Sequence, residues 1–596
     1  MSTIRTYLLK AAEENPNGVA FRWKQDGKWQ TLTHRERLDQ ARTVAAMAAS
    51  LGVQPGDRVA LMMENRVEWT TVYLGLACSA ITVVPVDAKL QPGEVAHILR
   101  DSGAVAIFAG GRRWPVLSEI ESDLPDLHHV VLLDNAFADA ETERHHDFAR
   151  LFQSMASATV RGAASSPAVV EPPASAGVRG AASSPAVVEP PASAGVRGAA
   201  SSPAVVAAFD SRVPTESTVA SILYTSGTTG RPKGAMLTHG NFDAQIVGCL
   251  ECFTVLRTDN LLLVLPLHHA FAFTANFLAA LGAQCEITMV ENLRAIPGNM
   301  KETHPTILLA VPLLAEKMLE AILKKLRKNL LASLLLKAGL GRVVGRQVIR
   351  SLGGKLRLLI CGGAASDPEM LRMYNRFGIH TIEGYGLTET APICALTPET
   401  ELHLGTVGKA FPHCSLTIDA PNDEGIGEIC VGGPILMKGY FHNDEATAET
   451  IYGGLLHTGD LGRLDANGYL TITGRKKSLI VNREGKNIYP EEVEQAINAA
   501  PHILESLVLG FHEGDEKAER VGVIFVPDMD RLAKEARGKS LPSHEQIEKL
   551  CTDELHKAIA TIAEYKRPRK VQIRFEPFER TNTLKIKRYK YSLDED

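Results

Sequence analysis

Short apolar runs alternate with amphipathic stretches through the first part of the chain. Gly56–Asn65 (GDRVALMMEN) reads as a strand, RVEWTTVYLGLACSA as a helix, ITVVPVD as a strand, GEVAHILRDSG as a helix and AVAIFAG as a strand; His128–Asp134 adds a further strand. Strands separated by helices predict right-handed crossovers and a parallel sheet, so the fold class is α/β. Further on, LLLVLPLHHAFAF reads as a buried strand feeding a loop. KLRLLICGGAASDPEMLRMYNRFG reads as strand, glycine turn and helix, and HTIEGYGLTET as strand then loop. From Gly427 the segments GEICVGGPILMKGYF and GYLTITGRKKSLIV are strand-rich. The C-terminal stretch mixes strands (ESLVLGF, RVGVIFVP, KVQIRFE) with helices (PEEVEQAINAA, HEQIEKLCTDELHKAIATIAEY), which predicts a separate, smaller α+β domain.

Residues 157–207 break this pattern. VRGAASSPAVVEPPASAG occupies Val160–Gly177 and again Val178–Gly195, with a partial copy over Val196–Val206, a period of 18 residues. The unit has almost no large apolar side chain. It cannot bury enough surface to offset its ordering entropy, which predicts a disordered insert without function rather than a solenoid.

Composition narrows the class. At 596 residues the chain exceeds what one core supports. A formal net charge of −5 argues against a nucleic-acid binder. Nine scattered cysteines, Cys249-Leu-Glu-Cys252 among them without a second pair, read as buried free thiols rather than zinc ligands or disulfides. MSTIRTYLLKAAEENPNG lacks the apolar core of a signal peptide, and no window is apolar for the about 18 residues of a membrane span, which predicts a cytoplasmic protein.

Tyr224–Asn241, YTSGTTGRPKGAMLTHGN, carries the first chemistry. Gly227, Gly230 and Gly234 allow a tight turn, Thr225, Ser226, Thr228 and Thr229 add hydroxyl donors, and Lys233 adds a point charge. Successive N–H groups in such a turn form an anion-binding nest. It is not a Walker A loop: Pro232 precedes Lys233, and Ala235–Leu237 reads as a strand returning from a hairpin-like loop.

The stretch resembles the phosphate-loop signature of the adenylate-forming enzymes, which include acyl-CoA synthetases, peptide adenylation domains and beetle luciferases. Later motifs follow in the same order over nearly the whole chain apart from the insert. PLHHAFAF places His269 and Phe271 where the family shapes its acyl pocket, and CGGAA places Gly363 and Ala364 where it holds adenine. EGYGLTET, with Glu383, Gly384 and Gly386, puts Tyr385 against adenine, Thr388 at the α-phosphate and Glu389 on Mg²⁺. HTGD supplies Asp460 for the ribose diol, and TGRKKSLI supplies Arg475 for ribose and phosphate and Lys477 for the interdomain hinge. RTNTLKIKRYK supplies Lys585 as the mobile catalytic lysine; Leu584 stands where the family usually has glycine.

The resemblance implies a large N-terminal domain, residues 1–476, of mainly parallel sheets flanked by helices plus a distorted barrel-like part. A small mobile α+β domain, 477–596, completes it. The implied reaction joins a carboxylic acid to AMP from ATP with Mg²⁺, releasing pyrophosphate, and then passes the acyl group to CoA. Lys233, Thr388, Glu389 and Lys585 would carry the first step. The wording of EGYGLTETAPI is closest to long-chain fatty acyl-CoA synthetases, which implies a medium or long fatty acid. Two other readings stay open: a ligase charging an acyl carrier protein, and a nucleotide- or acyl-binding relative without full activity. Lys324–Arg357 holds ten Lys/Arg and no Asp/Glu, with leucines and valines at helical spacing. It fits peripheral contact with an anionic membrane or a lipid head, or a cationic surface helix pair.

Overall fold

The computed structural model describes all residues except 1, 135–141, 162–201, 226–231, 330–333, 337, 400, 402, 485, 514–518, 537–539, 561, 581–585 and 595–596, and of residues 157–161 the backbone alone. The repeats from Gly162 to Ser201, the loop residues Ser226–Gly230, and Leu584 with Lys585 therefore lie outside the described residues; the end of the partial copy, expected to be disordered, instead caps and opens the helix Pro203–Asp210, where Val205 and Phe209 are buried.

Two large sheets form the N-terminal part. One has eight strands, in the order Gly439–Tyr440, Lys233–Thr238, Val219–Thr225, Thr82–Pro85, Arg58–Met62, Ala106–Ala109, His129–Leu132 and His145–Asp147. Its last six strands are mutually parallel, and each of the strands expected between residues 56 and 134 is among them. The expected helices run over Val67–Ala77 and Pro92–Ser102. The other sheet has nine strands, with a parallel centre and antiparallel edges: Lys409–Ala410, Ile393–Leu396, His380–Gly386, Leu358–Gly362, Ile307–Ala310, Asn260–Leu263, Glu286–Met289, Val19–Gln25 and Lys28–Thr33.

Val67–Ala77 carries apolar side chains around its circumference with Glu68 its single charge, so it has to be buried, and all of it except Glu68 is. Its Trp69 stacks on Tyr73 at 5.5 Å, Tyr73 meets Phe273 edge-on at 4.6 Å, and Phe273 meets Phe242 at 5.2 Å. This aromatic cluster belongs to the core shared by both sheets. Pro312–Arg327, Gly341–Ser351 and Pro368–Arg376 pack a second core on the nine-stranded sheet.

The segment after Leu263 departs from the expected loop. Only Val264–His269 is irregular; a helix begins at Ala270 and widens into a π-helical stretch over Phe273–Leu278. Tertiary contacts decide this: the Thr274 hydroxyl donates to the Ala391 carbonyl at 2.9 Å and the Asn276 amide to the Leu262 carbonyl at 3.1 Å, inside the core.

A third, antiparallel sheet of five strands forms the barrel-like part, from Ser415–Asp419 to Leu470–Arg475. The C-terminal residues build their own three-stranded sheet, Ile503–Phe511, Arg520–Pro527 and Lys570–Ile573, under the helices Pro490–Asn498 and His544–Ile559.

Candidate active site

The hairpin read from sequence is formed: Val219–Thr225 and Lys233–Thr238 pair antiparallel with Thr225 opposite Lys233. Gly234 is required here, because a Cβ would stand 2.6 Å from Ile222 Cγ2. The hairpin's second strand ends at Thr238, whose side chain caps the helix His239–Cys252 by accepting from the Asn241 amide.

Lys233 leads to Glu389 through a residue that the sequence reading passed over. Tyr440, on the two-residue strand paired with Lys233–Thr238, lies under the Lys233 ammonium at 5.2 Å. The same tyrosine donates its hydroxyl to Glu389 Oε1 at 2.8 Å. Burial, with the Glu389 charge, pushes the Tyr440 hydroxyl well above its ordinary pKa, so it remains a donor. The Met437 amide holds the Glu389 carbonyl at 2.9 Å.

Glu389 sits in the short 3-10 turn Thr388–Thr390, directly after the strand His380–Gly386. Gly386 makes this turn fit: a Cβ there would lie 1.7 Å from the Pro392 carbonyl oxygen. From the same segment Tyr385 donates its hydroxyl to Asp460 Oδ2 at 2.6 Å, while Arg475 Nε meets Asp460 Oδ1 at 2.6 Å. Asp460 and Arg475 are register partners on adjacent strands, and Asp460 is buried. Burial and the Asp460 charge raise the Tyr385 hydroxyl as well.

Glu383 is buried, accepts the Ser366 amide at 2.9 Å, and is raised by burial. The interaction fixes the glycine turn, where Gly363 takes a positive φ of 87° and Ala364 is exposed. Phe271 closes the turn from the other side: its Cζ lies 3.2 Å from where a Gly362 Cβ would be. Gly384 pairs with Gly362 across the sheet.

His269 stands at the start of the next helix, its ring 4.1 Å from that of His268. The loop carrying both is gripped from the opposite sheet. The Asn65 side chain donates to the Leu265 carbonyl at 2.7 Å and accepts the Leu267 amide at 2.9 Å. His268 Nε2 lies 3.4 Å from Asp87 Oδ2. Burial works against the Asp87 carboxylate, but His268 and the Lys89 amide outweigh it and bring its pKa down to about 2.

One set of contacts thus joins Lys233, Tyr440 and Glu389, and another joins Tyr385, Asp460 and Arg475; the segment 385–389 carries a member of each. A family model described as AMP-binding enzyme matches residues 8–441. The chain belongs to the AMP-binding enzyme family. Among relatives, this AMP-binding enzyme is 30% identical over 535 residues to the long-chain-fatty-acid–CoA ligase FadD15 of Mycobacterium bovis, covering 85% of this chain and 80% of that one. It is 29% identical over 520 residues to the long-chain-fatty-acid–CoA ligase of Escherichia coli, covering 85% and 83%. A solved Mycobacterium tuberculosis fatty acyl CoA synthetase shares the fold at a TM-score of 0.65, with 24% identity and coverage of 98% and 96%. Among the described residues no helix is long and apolar enough to cross a membrane.

Proposed function

We propose that this AMP-binding enzyme activates a medium- or long-chain fatty acid with ATP and passes the acyl group to CoA. The similarity to ligases named for long-chain fatty acids supports the substrate class. One structural observation carries the chemistry: Tyr440 links Lys233 to Glu389, and the segment bearing Glu389 also delivers Tyr385 to Asp460. Cationic, acidic and aromatic groups suited to phosphate, metal, ribose and base therefore lie along one short stretch.

A carboxylate cannot expel oxide, so it needs a better leaving group. In the proposed first step the fatty carboxylate attacks the α-phosphorus in line and pyrophosphate departs. The loop amides at 225–230, Lys233, the Thr388 hydroxyl and Lys585 would neutralise and orient the phosphate, an electrostatic and positional contribution. Asp460 would take the ribose hydroxyls, Arg475 the ribose and phosphate, and Tyr385 with Gly363 and Ala364 the adenine. Glu383, Gly384 and Gly386 shape that strand, and His269 and Phe271 would border the acyl chain.

Mg²⁺ fits Glu389, a half-buried hard-oxygen donor whose Oε1 is oriented by Tyr440, because this ion takes one or two carboxylates and completes its shell with phosphate and water. When bound it supplies charge neutralisation at the phosphates. In the second step the CoA thiolate attacks the acyl carbonyl and AMP leaves. We assign the large domain to 1–476 and the small one to 477–596, with Lys477, in the turn Lys476–Ser478, as the hinge between the two half-reactions. Lys476 anchors the large-domain side through Glu428 at 2.7 Å.

The test is AMP release against straight-chain acids from acetate to stearate, with CoA or with a carrier-protein thiol. Activity should rise toward the longer acids and yield acyl-CoA. A carrier-protein requirement would reassign the acceptor, and release of ADP would refute adenylation.

A further inference from the structure

The barrel-like sheet carries a cluster of metal-ligand side chains that the proposed reaction does not use. Asp419 and Glu428 are register partners on the strands Ser415–Asp419 and Gly427–Gly432, and Cys430 stands opposite His457 on Leu455–Leu464. Glu428 and Cys430 are two positions apart on one strand, so all four side chains share one face of the sheet. A bulge separates the Cys430–His457 pair from the pair Glu428–Leu461. There Gly459, at φ 70°, turns its amide onto Glu428 Oε1 at 2.9 Å, which fixes the carboxylate with Oε2 toward the cluster.

The Glu428 and His457 side chains are each 9% exposed, with Oε2 and Nδ1 3.9 Å apart. Ligand atoms of Asp419, Glu428 and His457 all fall within 4.8 Å of one another. His457 Nδ1 has more neighbours than it can satisfy: the Tyr452 hydroxyl comes to 2.9 Å and Cys430 Sγ to 3.2 Å, yet a ring nitrogen offers one lone pair or one proton. The positive charge now at Glu428 is Lys476, whose ammonium meets Oε2 at 2.7 Å. Its side chain is 60% exposed and Asp419 is exposed, so the ammonium can swing away and the cluster opens to solvent. A pair of carboxylates is served by a lysine. A buried imidazole at the same point adds a nitrogen donor, which suits a zinc-class ion and not the oxygen-seeking Mg²⁺ or Ca²⁺.

We propose that Asp419, Glu428 and His457 bind a divalent cation of the zinc class in exchange for Lys476. Zinc takes imidazole nitrogen and carboxylate oxygen at about 2.0–2.2 Å, which sets two ligands about 3.4 Å apart at a tetrahedral angle, about half an ångström closer than Glu428 and His457 now stand. Water completes the shell. The ion and the ammonium cannot share Oε2, so binding releases Lys476. That residue adjoins Lys477, and under the hinge assignment made above the ion frees the large-domain anchor of the hinge. The site itself depends neither on that assignment nor on the reaction.

The test is zinc binding to the full chain without nucleotide, by competition with a chromogenic chelator in excess Mg²⁺. The parent should bind one Zn²⁺ that Mg²⁺ does not displace, and should unfold at a higher temperature with it. His457→Gln keeps a polar partner for Tyr452, and Asp419→Asn changes an exposed position; each should weaken binding at least about tenfold with unchanged circular dichroism. Lys476→Met should strengthen it roughly two- to fivefold, the worth of the exposed ion pair that the metal has to break. A parent that binds no zinc, equal binding by parent, His457→Gln and Asp419→Asn, displacement by Mg²⁺, or a Lys476→Met variant no tighter than the parent would overturn the proposal.

Discussion

Removing the Arg588 guanidinium tests how Lys585, the proposed catalytic lysine, is held. Arg588 Nη2 donates to both Glu494 oxygens at 2.6 Å, and Nη1 to the Val508 carbonyl at 3.0 Å. The Val508 amide returns a bond to Glu494 Oε1 at 2.7 Å. On the other flank Arg580 pairs with Glu505, which also accepts the Phe578 amide at 2.9 Å, and Arg580 bridges to Ile586. Lys585 thus falls in sequence between two anchored arginines. The Glu494 side chain is 14% exposed and that of Arg588 27%. Burial pushes the Glu494 carboxyl up to about 7 even with Arg588 opposing it. Arg588→Met would leave that group buried without its cation, at a cost of about 3 kcal/mol. This is the low end of the range for a broken buried pair, since Glu494 can take up a proton near neutrality. Adding Glu494→Leu should restore most of the stability in urea unfolding, because the uncompensated group is gone. The anchor stays absent, so ATP–pyrophosphate exchange should remain roughly 10- to 100-fold low in both variants, the effect of misplacing a catalytic group by about 1 Å. Thioester formation from supplied acyl-AMP should change little. If exchange recovers in the double variant together with stability, the pair only stabilises the domain and the positioning argument fails.

Lys585→Ala should suppress adenylation far more than thioester formation from supplied acyl-AMP; equal loss in both steps would remove the lysine from its assigned role. Asp87→Asn should lower stability near neutral pH by about 2 kcal/mol, since a carboxyl brought from 3.8 to about 2 gains about 1.4 kcal/mol per unit. A depressed carboxyl stabilises the fold above its unfolded pKa. The difference between variant and parent in thermal unfolding should therefore shrink as pH falls from about 4 to about 2, and a difference constant over that window would contradict the assignment. Excising residues 162–201 with a short bridge, between the helices Phe148–Arg161 and Pro203–Asp210, should leave adenylation unchanged; loss of activity in a folded protein would show that the repeats contribute.

Much of this architecture is legible locally. The strands between residues 56 and 134 are short, apolar but for a polar first residue in three of them, and bounded by turn residues, so each can be read without its neighbours. Lys233 is recognisable as the start of a returning strand because Pro232 and the glycines before it exclude a helix. What escapes is set at long range. The Tyr440 strand is two residues long and exists only because it pairs with Ala235 and Met236, some two hundred positions away. The grips of Asn65 and Asp87 on residues 265–268 likewise cross between sheets and leave no periodic trace. HAFAF resists a helical reading because the π-helical turn that follows is fixed by buried hydrogen bonds rather than by spacing. The partners of Arg580 and Arg588 fall on a strand and a helix far back in the chain, where their carboxylates look like ordinary surface charges.

The proposed reaction is tested most directly by following labelled ATP with a long-chain acid and CoA. AMP, pyrophosphate and acyl-CoA should form in equal amounts, and none should form without the acid. Nucleotide turnover that ignores the acid, or that ends in ADP and phosphate, would contradict the proposal.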